Sequence, residues 1–177
     1  MKENNTKNRI NNIIKDLHAK EEQTVLTAIK QLRKHGTPEV IDPLLALYMK
    51  SDKESIKNDI TSLLFDLKDE AAVPVLIQAI ENEKYLPIQS FLISVLWQAA
   101  IDSSSYISTL VTQAIQKDYY TCLEVLSVID SYDSTFDEAE IEDLKFDIED
   151  AMEEADEEKR KLLQTLKMAI EELNIAY

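Results

Sequence analysis

Apolar positions along this chain return in register after 31 to 33 residues, and that repetition narrows its folding options most. A shift of 31 carries Ile13 onto Leu44, Ile14 onto Leu45 and Leu17 onto Tyr48, and in the following segment Val25 onto Ile56, Ile29 onto Ile60 and Leu32 onto Leu63. A shift of 32 carries Ile56 onto Ile88, Ile60 onto Leu92, Leu63 onto Val95 and Leu64 onto Leu96. A shift of 33 then carries Leu92 onto Val125, Val95 onto Val128 and Leu96 onto Ile129. Within each segment the spacing is three and four residues, the period of an amphipathic helix, and no stretch alternates for long as a strand would. Units that cannot bury an apolar stripe alone bury it by stacking on their neighbours.

Composition points the same way. One Gly and four Pro in 177 residues leave no material for turn-rich β folds, dinucleotide-binding loops or phosphate loops. The periodicity predicts about ten helices: 4–18, 21–35, 38–50, 52–67, 70–82, 86–100, 104–116, 118–132, 136–155 and 157–174. Gly36 is placed to close a helix in the left-handed conformation, and Thr37-Pro38 to open the next with a cap and a first-turn proline. Ser51 with Glu54, and Thr135 with Glu138, have capping-box spacing. Short connections make neighbouring helices antiparallel hairpins.

The paired helices, with Pro43 and Pro74 inside the first helix of their units, resemble HEAT repeats. Asp52 in a turn and Lys57 on a second helix resemble the polar positions of that family, whereas Gln89, Cys122 and Asn82-Glu83 depart from them. The resemblance covers about residues 8–132. It implies an all-α fold, a right-handed α–α superhelix of about ten antiparallel helices in five pairs, forming one domain over 1–177. Residues 136–177 read as an acidic capping pair, with one stripe of Ile141, Leu144, Ile148, Ala151, Met152 and Ala155 and a second of Leu162, Leu163, Leu166, Ile170 and Leu173. The two stripes stay in phase, so one long helix is the alternative; Lys159 in the apolar seam favours a break near Asp156.

The formal net charge is −15, so nucleic acid is disfavoured as a partner. The charge is uneven: residues 1–36 carry eight cations against four acids, residues 136–177 fifteen acids against five cations. A small acidic ligand on the amino-terminal face stays open. A single Cys122 cannot form an internal disulfide, which fits a reducing, cytoplasmic setting. The polar start is no signal peptide, and no apolar run approaches the ~20 residues that span a bilayer.

No catalytic residue, metal site or cofactor is expected. His18 and His35 lie at helix carboxyl ends, where the dipole stabilises a His, and read as structural positions and not catalytic ones. Cys122 reads as a small buried apolar residue. The run from Glu149 to Glu158 lacks the Gly and ligand spacing of a calcium loop and reads as a solvated face. The candidate site is instead a stripe for a protein or peptide partner of unknown identity. With Ile56 at zero and 100° per residue, Ile60, Leu63, Leu64 and Leu67 fall between about −20° and 80°, and Phe65 falls opposite at about 180°. Trp97 is its repeat equivalent 32 residues on, Ile93 lies one turn before Trp97, and Leu126 is the equivalent of Ile93. Phe65, Ile93, Trp97 and Leu126 are thus the expected anchors, with Lys34 and Asp130 flanking them. The competing reading is that they are buried, because such inner helices touch both neighbours. Ser62, Ser94 and Ser127 form another equivalent row and read as packing residues.

The expected function is a non-enzymatic, monomeric binding scaffold using its concave face. Two alternatives stay open: a HEAT-like enzyme of lyase or glycosylase type, or an acidic decoy that holds a basic protein through residues 137–158. Asp59, Asp66, Glu124 and Asp130 on the inner helices work against a glycosylase, which needs a basic groove.

Overall fold

A computed structural model of the chain describes residues 2–35 and 37–176, and side chains from 8 to 34 and from 37 to 176. The protein is all-α, with ten α-helices among the described residues and one two-residue strand pair. No described helix is long and apolar enough to cross a membrane. The chain divides into two compact units, 1–88 and 89–177.

In the first unit α1 (Lys2–Asp16) pairs with α2 (Glu22–His35), and α3 (Ile41–Lys50) with α4 (Glu54–Phe65), while α5 (Val73–Glu81) packs on α3. α2 lies against α4, so the second helices form their own layer. The two prolines act at helix starts. Short 3-10 turns at Pro38–Val40 and Glu70–Ala72 precede α3 and α5, leaving Pro43 and Pro74 in first turns, where a missing N–H breaks no helical bond. The expected continuous helices 38–50 and 70–82 are therefore each split in two. α4 starts at Glu54 with Lys53 before it, so Ser51 does not cap it; its hydroxyl accepts from the Lys53 N–H instead, at 3.1 Å. Tyr85, fully buried, reaches back to α3, where its hydroxyl donates to Asp42 and accepts from Lys84 at 2.6 Å. Gly36 and the His35 side chain lie outside the described residues.

In the second unit α6 (Gln89–Gln98) packs on α8 (Tyr119–Asp130), which also contacts α7 (Ile107–Gln116) and α10 (Glu157–Glu171); α9 (Glu138–Glu154) packs on α7 and α10. α6, α8 and α10 thus form one layer, α7 and α9 the other. The acidic segment is two helices, with the break at Ala155-Asp156. Thr135 does not cap α9. It sits in β1 (Thr135–Phe136), which pairs in parallel with β2 (Asn174–Ile175), Thr135 opposite Asn174, and Asp137 caps the helix through the Ala139 and Glu140 N–H groups. α6 closes on Ala100, whose φ of 53° is left-handed, with the Ile101 N–H reaching back to the Leu96 carbonyl.

Two of the matched rows are uniform in burial: Ile29, Ile60, Leu92 and Val125, and likewise Leu32, Leu63, Val95 and Val128, are all buried. By contrast, Leu17 and Ile56 are buried and their matches Tyr48 and Ile88 only half-buried.

Candidate functional site

The expected stripe of anchors falls in both units, so each half is described in its own. In the first unit Phe65 ends α4 and is half-buried, and Lys34 is exposed near the end of α2. Lys34 borders a shallow groove of about 410 Å³ together with Arg9 and Lys30. None of these three cations has an ion-pair partner among the described residues.

In the second unit one anchor is corrected outright: Ile93 is 0% exposed. The five consecutive residues Leu92 to Leu96 are all buried, so α6 is enclosed nearly all round and Ile93 belongs to the core. Its sequence shows why, with apolar residues on every side: Phe91, Leu92, Ile93, Val95, Leu96 and Trp97. Trp97 is half-buried and turned toward α8, its indole N–H donating to the Glu124 carboxylate at 2.9 Å. Leu126 is half-buried on α8, and Asp130 is exposed at that helix's end. Of the serine row, Ser62 accepts from Arg33 at 2.9 Å, while Ser94 and Ser127 donate to carbonyls of their own helices.

Further apolar surface is exposed elsewhere on α8, as it is at Phe146 on α9 and Met168 on α10. Asp118 caps that helix through the Thr121 N–H at 2.8 Å, and the same bond holds its carboxyl below the usual aspartate range. Tyr119 and Tyr120 therefore occupy the first turn. Their rings meet edge to face with centroids 5.9 Å apart, and Tyr120 is 70% exposed. Leu123, one turn on, is 39% exposed. With Val125 at zero, Tyr119, Tyr120 and Leu123 fall between about 120° and 220°, opposite the buried face of Cys122, Val125 and Ile129. That signal was present in the sequence, but following repeat equivalents of Phe65 and Trp97 leads to Asp130 and past these three residues.

Beside Tyr119 opens a cleft of about 910 Å³ between the α7–α8 turn and the α9–α10 turn. Seven carboxylates line it, on Asp118, Asp147, Asp150, Glu153, Glu154, Asp156 and Glu158, against two ammonium groups, on Lys117 and Lys159. Two nearby cations, Lys159 and Arg160, are engaged with backbone. The Lys159 ammonium donates to the carbonyls of Ala114, Lys117 (2.8 Å) and Asp118 (3.4 Å), where α7 ends; burial pulls its pKa below the ordinary lysine range, against the opposing pull of Asp118 and Asp156. Arg160 donates to the carbonyls of Met152 (2.8 Å) and Ala155 (2.7 Å), closing α9. Asp147, Asp150, Glu153, Glu154 and Glu158 consequently make no ion pair among the described residues. No three His, Cys, Asp or Glu among the described residues converge on a point that could hold a metal ion. The cleft is a negative field beside an aromatic ridge.

No family model matches this chain, and no curated protein matches it.

What the arrangement can do chemically is attract and hold a positively charged surface. Cys122 is fully buried, and that burial raises its thiol pKa, away from nucleophilic chemistry.

Proposed function

We propose that this chain is a non-enzymatic binding module, a HEAT-like superhelix working in a reducing compartment, that docks a basic segment of a protein partner along α8 of its second unit. The carrying observation is the exposed Tyr119–Tyr120–Leu123 ridge directly beside the carboxylate-lined cleft. Aromatic side chains supply most of the energy at protein interfaces, and charge complementarity sets approach rate and partner choice. A segment alternating Lys or Arg with Leu or Phe satisfies both surfaces. This reading joins the scaffold expected from the sequence to the acidic surface of residues 137–158, and it moves the anchors from Trp97 and Ile93 to Tyr119 and Tyr120.

Fluorescence anisotropy with a synthetic peptide of that composition tests it. Binding should weaken steeply as salt rises, because the cleft charges are solvent-facing and screened within about 10 Å at 0.1 M. A peptide of equal length with Glu in place of each cation should not bind. Equal binding of the two peptides would reject the reading.

A further inference from the structure

A second charged surface, opposite in sign to the α8 cleft and independent of it, lies in the first unit. The groove of about 410 Å³ along α1 and α2 is lined by Arg9 from α1 and by Thr27, Lys30, Gln31 and Lys34 from α2. The four α2 residues are spaced i, i+3, i+4, i+7 and so share one face, turned away from the buried Val25, Ala28, Ile29 and Leu32. All five lining residues are exposed.

The charge in this groove is unanswered. The chain has 34 acidic residues against 19 Lys and Arg, yet none of the described residues lining the groove is acidic. Lys30 and Lys34 form a like-charged i, i+4 pair, an arrangement that destabilises a helix, and Arg9 adds a third positive charge from the paired helix. The one acid on α2, Glu22, accepts from the Ser55 hydroxyl at 2.5 Å. Arg33, which falls between the two lysines in sequence, is matched: it pairs with Asp66 and donates to Ser62 at 2.9 Å. The groove is also rich in donors and poor in acceptors. Arg9 and the two ammonium groups only donate, Gln31 adds two amide N–H groups, and the Thr27 hydroxyl already gives its proton to the Gln23 carbonyl at 2.7 Å. A ligand that matches this surface is multiply negative, rich in acceptor oxygens and free of N–H groups. A phosphate chain has those properties, whereas an acidic peptide brings backbone N–H groups that find few acceptors here.

We propose that the α1–α2 groove binds a small soluble oligophosphate, with inorganic tripolyphosphate as its simplest form. The phosphate oxygens accept from the Arg9 guanidinium and from the Lys30 and Lys34 ammonium groups, and the bound negative charge relieves the repulsion among the three cations.

The test is an amide NMR titration of the full chain with sodium tripolyphosphate, orthophosphate and hexaglutamate, at an ionic strength held constant with sodium chloride. It is repeated for Lys30→Gln, Lys34→Gln and Lys20→Gln. Tripolyphosphate should shift amides around residue 9 and residues 27–34, and should bind at least about tenfold more tightly than orthophosphate because it meets several cations at once. Lys30→Gln and Lys34→Gln should each weaken it about three- to tenfold. Lys20→Gln, an exposed cation in the turn between α1 and α2, at the far end of the pair from Lys34, should leave it unchanged. All three positions are exposed, so melting temperatures without ligand should stay close to wild type, while the rise produced by tripolyphosphate should shrink only in the Lys30 and Lys34 variants. Lys20→Gln weakening tripolyphosphate as much as Lys30→Gln, or shifts confined to other regions, would overturn the proposal. Tighter binding of hexaglutamate than of tripolyphosphate would also overturn it and assign the groove to an acidic protein segment.

Discussion

Replacing Ile60 by Ala tests the repeat register at a fully buried point. Ile60 is 0% exposed, in the middle of α4, facing the core of the first unit. The substitution removes three carbon groups that folding takes fully out of water, worth about 0.8 kcal/mol each, so about 2.4 kcal/mol in transfer alone. The space left behind cannot collapse completely between neighbours such as Ile56 and Leu64, and the lost packing brings the expected cost to about 3–4 kcal/mol. At about 2–4 °C per kcal/mol for a chain of this size, the melting temperature should fall by roughly 6–16 °C. Urea denaturation followed by circular dichroism measures it, with Asn58→Ala, an exposed position on the same helix, expected to stay within about 0.5 kcal/mol. Ile29→Ala, at the matched position, should cost a comparable amount, and Val125→Ala, which removes two carbon groups and not three, about a third less. An Ile60→Ala protein as stable as Asn58→Ala would show that the register placing Ile60 inward is wrong.

Other outcomes follow from local features. Asp118, held low by the Thr121 N–H, Asp42, held low by the Tyr85 hydroxyl, and Asp102, held low by the Ser104 N–H, all titrate below their ordinary value of 3.8 in the folded chain. A depressed folded pKa gives stability that is present above the unfolded value and lost as pH falls through the folded one. Stability measured by denaturant should therefore decline once pH drops below about 4, and a curve flat down to about pH 2 would contradict these contacts. Ala100→Gly relieves a left-handed alanine and should raise stability by about 0.5–1 kcal/mol; a loss of stability would mean the α6 terminus is not left-handed. Deleting residues 136–177 uncovers the faces of α7 and α8 on which α9 and α10 pack, so the truncated chain should aggregate, and a soluble, equally stable product would mark the acidic pair as an independent arm.

Much of this structure was legible in the sequence because helix formation here is driven by one apolar stripe per helix. The break at Asp156, the inward positions of Ile29, Ile60, Leu92 and Val125, and the hairpin order all follow from spacing. What spacing does not encode is how many sides of a helix are covered. α6 carries apolar residues all round, and only packing decides that Ile93 is core while Trp97 reaches out to Glu124. Capping motifs were misplaced for a related reason. Ser51 and Thr135 have the right spacing, but the chain enters α4 and α9 two residues later, and at Thr135 a strand pair with Asn174 prevails. The ridge of Tyr119, Tyr120 and Leu123 was visible as apolar residues opposite a buried stripe. The cleft beside it was not, because it forms between turns more than thirty residues apart and depends on Lys159 and Arg160 being tied to backbone carbonyls.

Docking on α8 is tested most directly by comparing Tyr120→Ala with Trp97→Ala in the peptide-binding assay, with melting temperatures measured alongside. Tyr120 is largely exposed and adds little to folding, so its loss should weaken the basic peptide at least about tenfold, as expected for an interface anchor, while the melting temperature stays within about one degree. Trp97, half-buried and bonded to Glu124, should behave in the opposite way, costing about 2 kcal/mol of stability with little change in affinity. Full affinity in Tyr120→Ala, with binding lost in Trp97→Ala at unchanged stability, would contradict the account and return the site to Trp97.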